Sequence, residues 1–477
     1  MTAALLAAFV FSLRFRGAQS LEQWSVGNRG FGSALIFVLL AGEIYTTFTF
    51  LGGSGWAYAR GAPAYYIIGY AAVAYTASYW LLPAIWRRAT AWRVISQPEY
   101  FARAFNSTWF GTVVAGVGCF ALIPYLVLQL KGLGILVSET SYGLISYEAA
   151  IWIGTVATVV YVILSGVRGS AFTAALKDAL VLLTVVGLGI ALPITLHGGI
   201  TPMFDTLIVQ RPEFFVFPEK GLSGTWYVST MLMTVFGFYM WPHTFGSVFT
   251  ARSESAFRRN AVLMPLYQLV LLFVFFIGFA AISAVPGLEG AEIDLALLRV
   301  TGQTYGPWVL GLVGAAGLLT ALVPGSLIMM TTATILSRLI TSLHPASAER
   351  EVQIARLAVP LVAAVSLIFV FSRDQTLVTL LLFAYAIVTQ LFPSIVLSLC
   401  CPQRANAFAA FAGIVMGVGT VVWTTFARVS LPSLLPSMPS AVTDMNIGVL
   451  ALVANVLVLG VLTVLLQRPR IPTDHTG

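Results

Sequence analysis

The stretch Leu40–Gly55, LAGEIYTTFTFLGGSG, contains one charged side chain in a segment otherwise apolar enough to cross a bilayer. That side chain, Glu43, needs an explanation, because a charge near the middle of a membrane costs about 2.5 to 3.5 kcal/mol on insertion scales. Threonines follow it closely, and Gly52, Gly53 and Gly55 lower the cost of leaving helical geometry. The stretch therefore indicates a functional site inside an interrupted membrane helix.

The composition of the chain excludes a water-soluble protein. Of 477 residues, 58 % are hydrophobic and only 9 % are charged, which is too little polar surface for a soluble domain. Apolar runs of about 17 to 30 residues are long enough to span a membrane. They predict twelve full spans, near residues 33–57, 64–86, 108–137, 147–167, 170–198, 226–250, 258–285, 306–340, 351–372, 375–401, 405–428 and 445–467.

A shorter apolar run, Met1–Leu13, precedes these spans. Its charges, Arg14 and Arg16, follow the apolar part, whereas a secretory signal peptide carries its charges first. We therefore expect a first span here, which the choice of start site could have shortened. Together with the twelve full spans it predicts about thirteen transmembrane helices in an all-α polytopic protein. No loop is long enough for a separate soluble domain, since the longest outside loop runs from about Gly199 to Gly224.

The positive charges predict the orientation of the chain in the membrane. With the N-terminus outside, seventeen of the 25 Lys and Arg residues fall in inside loops, six in outside loops and two within spans. Because Lys and Arg accumulate on the cytoplasmic side, we predict an N-terminus outside and a C-terminus on the cytoplasmic side of the membrane. The net charge of +7 then reflects topology and not nucleic-acid binding. The three cysteines, Cys119, Cys400 and Cys401, suggest neither a disulfide framework nor a metal site.

Four further ionisable side chains lie within predicted spans, and each has a structural alternative to a functional role. Lys131 in span 4 can extend its stem toward an interface. Lys177 and Asp178 in span 6 can form an interfacial pair, and His243 in span 7 can be a hydrogen-bonded packing residue. Glu43 is harder to explain by structure alone.

Span 7 carries a second helix interruption, at Met240–His243. Pro242 removes a backbone hydrogen bond there, and Gly237 and Gly246 flank it. Spans 2 and 7 are five spans apart, and interrupted helices at matching positions of two five-helix halves indicate an inverted-repeat transporter. An ordinary proline kink is the alternative explanation.

Six ordered segments carry a family resemblance: GEIYTTFTF at 42–50, IPYLVLQLKGLG at 123–134, SGVRGSAFTAALKD at 165–178, MWPHTFGSVFTARSESAFRRNA at 240–261, ALVPGSLIMMTTATILSR at 321–338 and TQLFPS at 389–394. Together they resemble the sodium:solute symporter family, most closely its bacterial branch that takes up short monocarboxylates. This resemblance implies a location in the cytoplasmic (inner) membrane of a bacterium. The resemblance implies one transporter domain, 1–477, with a LeuT-type core of two inverted repeats of five helices. The repeats are 33–198 and 226–401, with a peripheral first helix and inside loop at 1–32 and two peripheral helices at 405–467.

The resemblance also implies where sodium would bind. Backbone carbonyls at Gly42 and Tyr45 match one half of the family's sodium site. The other half, a pair of hydroxyl residues, falls at Val323 and Pro324, which offer no side-chain oxygen. Only two hydroxyl residues are near that position: Thr320 and, after a shift of one turn, Ser326. We therefore expect a vestigial or absent sodium site, because a hard cation wants several oxygen ligands.

Lys177 suggests what replaces the ion. It lies on the fifth core helix, where proton-coupled LeuT-type carriers can place an amine at the sodium position. We expect an intramembrane pair of Lys177 and Glu43, with Asp178 as the other possible carboxylate partner. A change of protonation in this pair would couple uptake to protons, or leave it uncoupled.

The predicted substrate pocket collects polar and aromatic side chains near mid-membrane: Thr46, Thr47, Tyr125, Gln129, Trp241, His243 and Gln390. The last is included because a glutamine in the corresponding helix contacts substrate in sugar-transporting relatives. Hydroxyl groups and half-helix N-termini can hold a small carboxylate. We therefore expect secondary active uptake of a short-chain monocarboxylate such as lactate, pyruvate, acetate or propionate, by alternating access.

Two alternatives remain open: a sodium-coupled symporter of an amino acid, sugar or other organic solute, and a channel or transport-like sensor. An enzyme is not expected, because the four histidines lie in different segments and form no catalytic constellation. The expected partners are a small-molecule solute, a proton or sodium ion and the lipid bilayer, with no cofactor and no nucleic acid. We expect the protein to function as a monomer.

Overall fold

The computed structural model describes residues 10, 20–371, 375–429, 431–434 and 437–466, without the side chains of residues 44 and 434. Apart from residue 10, the predicted first span lies outside these residues, as do Arg373 and the tail from residue 467. The regular elements of the described chain are all helical, as the composition predicts.

The helices of the first predicted repeat and the segment before it are α1 (Leu21–Val26), α2 (Ser33–Ile44), a π-helix (Phe48–Gly52), α3 (Gly53–Arg60), α4 (Tyr66–Trp92), α5 (Gln97–Ala104), α6 (Thr108–Thr140) and α7 (Tyr147–His197). The next group is α8 (Ile200–Gln210), α9 (Gly224–Gly237), α10 (Pro242–Val248), α11 (Ser255–Gln268), α12 (Leu271–Ala284), α13 (Ala296–Thr304), α14 (Pro307–Leu343), α15 (Ala348–Val370), α16 (Leu377–Val388) and α17 (Phe392–Cys400). The last long helices are α18 (Ala407–Phe426) and α19 (Ile447–Leu465). Short 3₁₀ turns lie at Gly27–Arg29, Ala62–Tyr65, Phe238–Met240, Gly290–Leu295, Thr389–Leu391 and Pro402–Arg404, and short α-helical turns at Leu431–Leu434 and Ser440–Thr443.

Eight helices of the described chain are long and apolar enough to cross a membrane, or nine if the bent pair α2 and α3 counts as one span. This number is lower than the thirteen predicted spans partly because α7 runs through two of them. It also omits the predicted span 7, whose helix is interrupted between α9 and α10. The chain is therefore a multi-pass membrane protein, and the count of thirteen stays a prediction.

The 51-residue helix α7 contains a sharp break at Gly166, between predicted spans 5 and 6. Its backbone there has φ 58° and ψ −171°, a conformation essentially restricted to glycine. A Cβ at this position would lie 2.9 Å from a ring carbon of Trp24 on α1. Gly166 thus permits both the turn of the backbone and the close approach of α1.

The first interruption in the predicted core lies between α2 and α3, whose axes differ by 56°. Threonines satisfy backbone groups that the break releases: the Phe48 N–H donates to the Thr46 hydroxyl at 3.1 Å, and the Thr46 N–H donates to the Thr49 hydroxyl at 3.0 Å. Such local side-chain bonds compete with helical ones, which explains why threonines follow Glu43.

The second interruption lies where the sequence predicts it. Helix α9 ends at Gly237, Trp241 adopts an extended conformation with ψ 128°, and α10 begins with Pro242 in its first turn. The Gln97 carboxamide donates a hydrogen bond of 2.7 Å to the Met240 carbonyl, which the break leaves without a helical partner. Proline is favoured at the first position of a helix because its missing N–H would be unpaired there anyway.

The segments beside the two interrupted helices are joined to each other. The Phe31 N–H donates to the Thr250 carbonyl at 3.0 Å, and the Arg252 N–H donates to the Phe31 carbonyl at 2.9 Å. Phe31 and Ala251 therefore form a small parallel bridge between the start of α2 and the segment after α10.

Helix α14 is the central helix of the fold. In its most apolar stretch 94 % of the residues are buried, and it packs mainly against α6, α7 and α15. The corresponding fractions for α18 and α19 are 39 % and 33 %, and these two helices pack mainly against each other. The interrupted helices thus lie beside a buried centre, while α18 and α19 leave most of their surface exposed.

Candidate functional site

The first feature of the site is a buried ammonium group bound at the break after α2. Lys177 on α7 is fully buried, and its Nζ donates hydrogen bonds of 2.9 Å to the carbonyls of Gly42 and Tyr45. Its third neighbour is Asp178 Oδ1, at 3.0 Å. The ammonium group thus donates to two backbone carbonyls and has a carboxylate beside it that balances its charge.

The residues at this position do not fit a sodium site. The Thr320 hydroxyl donates to the Gly317 carbonyl at 2.6 Å, and the Ser326 hydroxyl donates to the Val323 carbonyl at 2.6 Å and lies 3.0 Å from the Ser170 hydroxyl. A Cβ placed on Gly42 would lie 3.8 Å both from Lys177 Nζ and from a methyl carbon of Val323. The ammonium and a methyl group therefore stand where a hard cation needs oxygen ligands.

Glu43 does not form the predicted ion pair with Lys177. Its carboxylate accepts a hydrogen bond from the Ser247 hydroxyl on α10, and the ion-pair partner of Lys177 is Asp178. The two side chains approach the break from different sides. Lys177 extends from α7 to the carbonyls of α2, whereas the Glu43 side chain points toward α10. Sequence spacing alone does not fix this rotation of α2 about its axis.

A small cavity, which we call the aromatic cavity, lies beside Glu43. Its volume is about 20 Å³, and its walls come from Glu43, Phe48, Tyr70, Tyr125, Phe238, Trp241, His243, Thr244, Leu381 and Tyr385. The ring centres of Tyr125 and Trp241 are 4.8 Å apart, and those of Trp241 and Tyr385 are 5.1 Å apart. A volume of this size holds about one water molecule, so an organic solute requires these rings to separate.

Three of the seven predicted substrate residues, Tyr125, Trp241 and His243, line this cavity. Thr46 instead bonds to the backbone of the break, and Thr47 donates a hydrogen bond of 2.8 Å to the Gln129 side chain. Thr46, Thr47 and Gln129 are all buried but are not part of the cavity wall.

The structure places Gln390 away from the cavity, contrary to the prediction. Its Nε2 donates to the carbonyls of Ala386 and Gly448, at 3.0 and 3.2 Å, and its Oε1 accepts from Asn455 Nδ2 at 3.1 Å. Because Gly448 and Asn455 belong to α19, the carboxamide joins α19 to the core. In this structure the side chain does not reach the cavity, and its contact with substrate stays a prediction.

Several wall residues were not identified from the sequence. Thr244 directly follows His243, and Phe238 lies just before the second break, so their proximity to the break was an available signal. Tyr385 is the one hydroxyl-bearing residue in the apolar run LLLFAYAIV. Tyr70, Phe48 and Leu381 resemble ordinary core residues in sequence and have no such signal.

A second narrow cavity lies on the other side of His243. His243 and Ser247 belong to its wall together with Ser25, Val26, Ile95 and Ser96, which are near the face predicted to be cytoplasmic. His243 thus contributes to both cavities. Glu43 lines the aromatic cavity, Ser247 lines the second cavity, and a hydrogen bond joins the two side chains. His243, Ser247 and Glu43 therefore separate the two cavities.

Lys131 belongs to a different charged cluster. It is only 4 % exposed, which is too buried for a side chain that extends to the membrane interface, and its charge acts on Asp294. Asp294 lies outside the spans, in the 3₁₀ turn before α13, and accepts a hydrogen bond of 2.9 Å from the Leu377 N–H at the start of α16. Burial raises the pKa of Asp294 to about 7, although Leu377 and Lys131 oppose this shift.

Two interrupted helices that meet at a buried ionic group and a small cavity define a membrane transporter of the LeuT fold class. Residues 24–417 match the model of the sodium:solute symporter family. The chain therefore belongs to the sodium:solute symporter family, whose members are transporters and not enzymes.

Individual relatives agree with this assignment. The chain is 50 % identical to the uncharacterized symporter YhjB of Bacillus subtilis, over 94 % of this chain and 93 % of that protein. It is 26 % identical to a monocarboxylate transport permease protein of Rhizobium johnstonii, over 94 % and 91 % of the two chains. The structure of a Na⁺-coupled sialic acid symporter, in a substrate-bound outward-open state, matches with a TM-score of 0.80 at 16 % identity, over 97 % and 96 % of the chains. That likeness shows a shared fold.

Proposed function

We propose that this transporter takes up a short-chain monocarboxylate by alternating access, and that its transport is coupled to protons, or uncoupled, and not driven by sodium. The observation that carries the proposal is the Lys177 ammonium at the carbonyls of Gly42 and Tyr45. A fixed positive charge there opposes the binding of a second cation. Val323 and Pro324, at the positions where the resemblance implies a pair of hydroxyl ligands, offer no side-chain oxygen, which also speaks against sodium.

The substrate class is supported by the cavity and by one relative. The cavity is small, and its polar wall groups include the hydroxyls of Tyr125 and Thr244, the Trp241 N–H and the His243 ring. Such groups can donate hydrogen bonds to a carboxylate of two or three carbons. The Rhizobium johnstonii relative carries monocarboxylate transport in its name.

Uptake of labelled lactate into proteoliposomes tests the proposal. We expect accumulation with an inside-alkaline pH gradient, or equilibration without one, and no stimulation by an inward sodium gradient. Uptake that requires sodium and ignores the pH gradient would contradict it. Exchange of external label against excess internal lactate distinguishes a carrier from a channel, because only a carrier shows counterflow.

A further inference from the structure

We propose that Glu43 carries the coupling proton: a carboxylate solute occupies the aromatic cavity only when Glu43 is protonated, and Glu43 and the carboxylate of the solute then share this proton. The inference rests on the proposed function and goes beyond it by assigning the coupling step to Glu43 instead of Lys177.

The charges around the break leave Glu43 as the group to be neutralised. Lys177 lies 3.0 Å from the Asp178 carboxylate and donates to two carbonyls, so a neighbouring opposite charge balances its own. Glu43 Oε1 is bonded by the Ser247 hydroxyl, but its buried Oε2 has no hydrogen-bond partner among the described residues. A buried carboxylate oxygen without a partner is costly when charged.

The cavity wall offers an anion no full positive charge. Of the described residues that form it, none is a lysine or arginine, and Glu43 is the one carboxylate. Two carboxylates close together at low dielectric repel each other strongly, and such pairs hold one proton between them. The proton then forms an O–H···O⁻ hydrogen bond between Glu43 and the solute, which replaces repulsion with attraction.

The other groups that face Glu43 are compatible with this role. From α10 these are His243, Thr244 and Ser247, and from α7 it is Lys177. The tyrosines come from α4, α6, the turn before α10 and α16: Tyr70, Tyr75, Tyr125, Tyr239 and Tyr385. Lys177 is the one permanent cation among these groups, and it forms an ion pair with Asp178.

The charge balance of the cycle follows directly. One proton enters on Glu43 with each anion, and both leave on the opposite side, so no net charge crosses the membrane. The position of Glu43 suits this sequence, because its bond to Ser247 lies between the aromatic cavity and the cavity on the side of Ser25 and Ile95. Lys177 keeps its charge throughout.

The experiment compares lactate binding and transport by wild-type protein and by E43Q, which mimics the protonated side chain. For the wild type we expect the Kd for lactate to rise about tenfold per pH unit where Glu43 is ionised, because binding takes up one proton. For E43Q we expect a Kd that does not change with pH, retained lactate counterflow and loss of accumulation driven by a pH gradient. E43D, which can still titrate, should keep the pH dependence.

The matched control for E43Q is E254Q. E254Q removes a half-exposed carboxylate paired with Arg87 and should behave as wild type. If wild-type protein takes up lactate with protons and E43Q keeps a pH-dependent Kd, the assignment to Glu43 is wrong while the proposed function stands. If wild-type protein neither binds nor transports lactate at any pH, the proposed function itself fails. Should E43Q not fold, proton uptake on lactate binding by wild type and E43D decides: no proton taken up overturns the inference.

Discussion

At the scale of single residues, Lys177 shows what a buried charge requires. Its ammonium is satisfied by the carbonyls of Gly42 and Tyr45 and by Asp178. The family resemblance predicted an amine near these carbonyls, and the structure brings the four residues together. It did not predict the carboxylate partner, because which of Glu43 and Asp178 faces the amine depends on the rotation of α2. That rotation is set by tertiary packing and not by sequence spacing.

Removal of this amine should destabilise the protein. In K177M two carbonyls and a largely buried Asp178 lose their partner, and breaking a buried ion pair costs about 3 to 5 kcal/mol. We expect a clearly lower midpoint of thermal unfolding in detergent. The double variant K177M/D178N removes the stranded charge and should recover part of the loss. Equal midpoints for the single and double variants would show that Asp178 is not the charge partner.

At the scale of elements, the interruptions were the most predictable part of the fold. Pro242 with its flanking glycines marked the second break, and glycines and threonines marked the first. The break at Gly166 lies near the junction of two spans that the sequence predicts, but nothing in the sequence showed that Trp24 packs against it. Such a contact joins segments distant in sequence, and apolar periodicity does not encode it.

Gly166 should not tolerate a side chain. Its φ of 58° with ψ of −171° costs about 1 to 3 kcal/mol for other residues, and a Cβ would also approach Trp24. We expect G166A to lower the midpoint of thermal unfolding. The matched control is G187A in the same helix, where no atom lies within 4 Å of an added Cβ. This variant should be neutral or stabilising by up to about 1 kcal/mol, as for alanine in a regular helix. Similar midpoints for the two variants would contradict a strained break.

At the scale of the whole molecule, charged clusters lie at both ends of the fold. At one end Arg338 of α14 is 3.1 Å from Glu99 of α5 and 3.3 Å from Glu351 of α15. At the other end Asp294 holds the turn before α13 against the start of α16. Membrane spans follow from apolar runs, so the helices could be predicted. These clusters join loops to helices through single side chains, and they could not be predicted without the three-dimensional arrangement.

Asp294 should make stability depend on pH. Its folded-state pKa of about 7 exceeds the ordinary value of 3.8, so the folded protein binds the proton more tightly than the unfolded chain does. Its contribution therefore decreases as the pH rises from about 4 to about 7, and the loss is complete above that range. We expect D294N, which keeps an acceptor for the Leu377 N–H, to show a smaller fall in the unfolding midpoint between pH 5 and pH 8 than wild type.

The control for this prediction is D205N, which changes an exposed aspartate on α8. It should keep the wild-type pH dependence, because its carboxylate is in water in both states. A D294N variant with an unchanged pH profile would show that Asp294 does not contribute to acid stabilisation.

The bridge between Phe31 and Ala251 has a mechanical consequence. Two backbone hydrogen bonds fasten the entry of the first interrupted helix to the exit of the second, although more than two hundred residues separate them in sequence. The two breaks therefore share one anchor at this face, and a displacement of either helix pulls on the other. Slow hydrogen–deuterium exchange at the Phe31 and Arg252 amides throughout turnover would mean that the two interrupted helices move together at this face and that the hinge of the motion lies elsewhere.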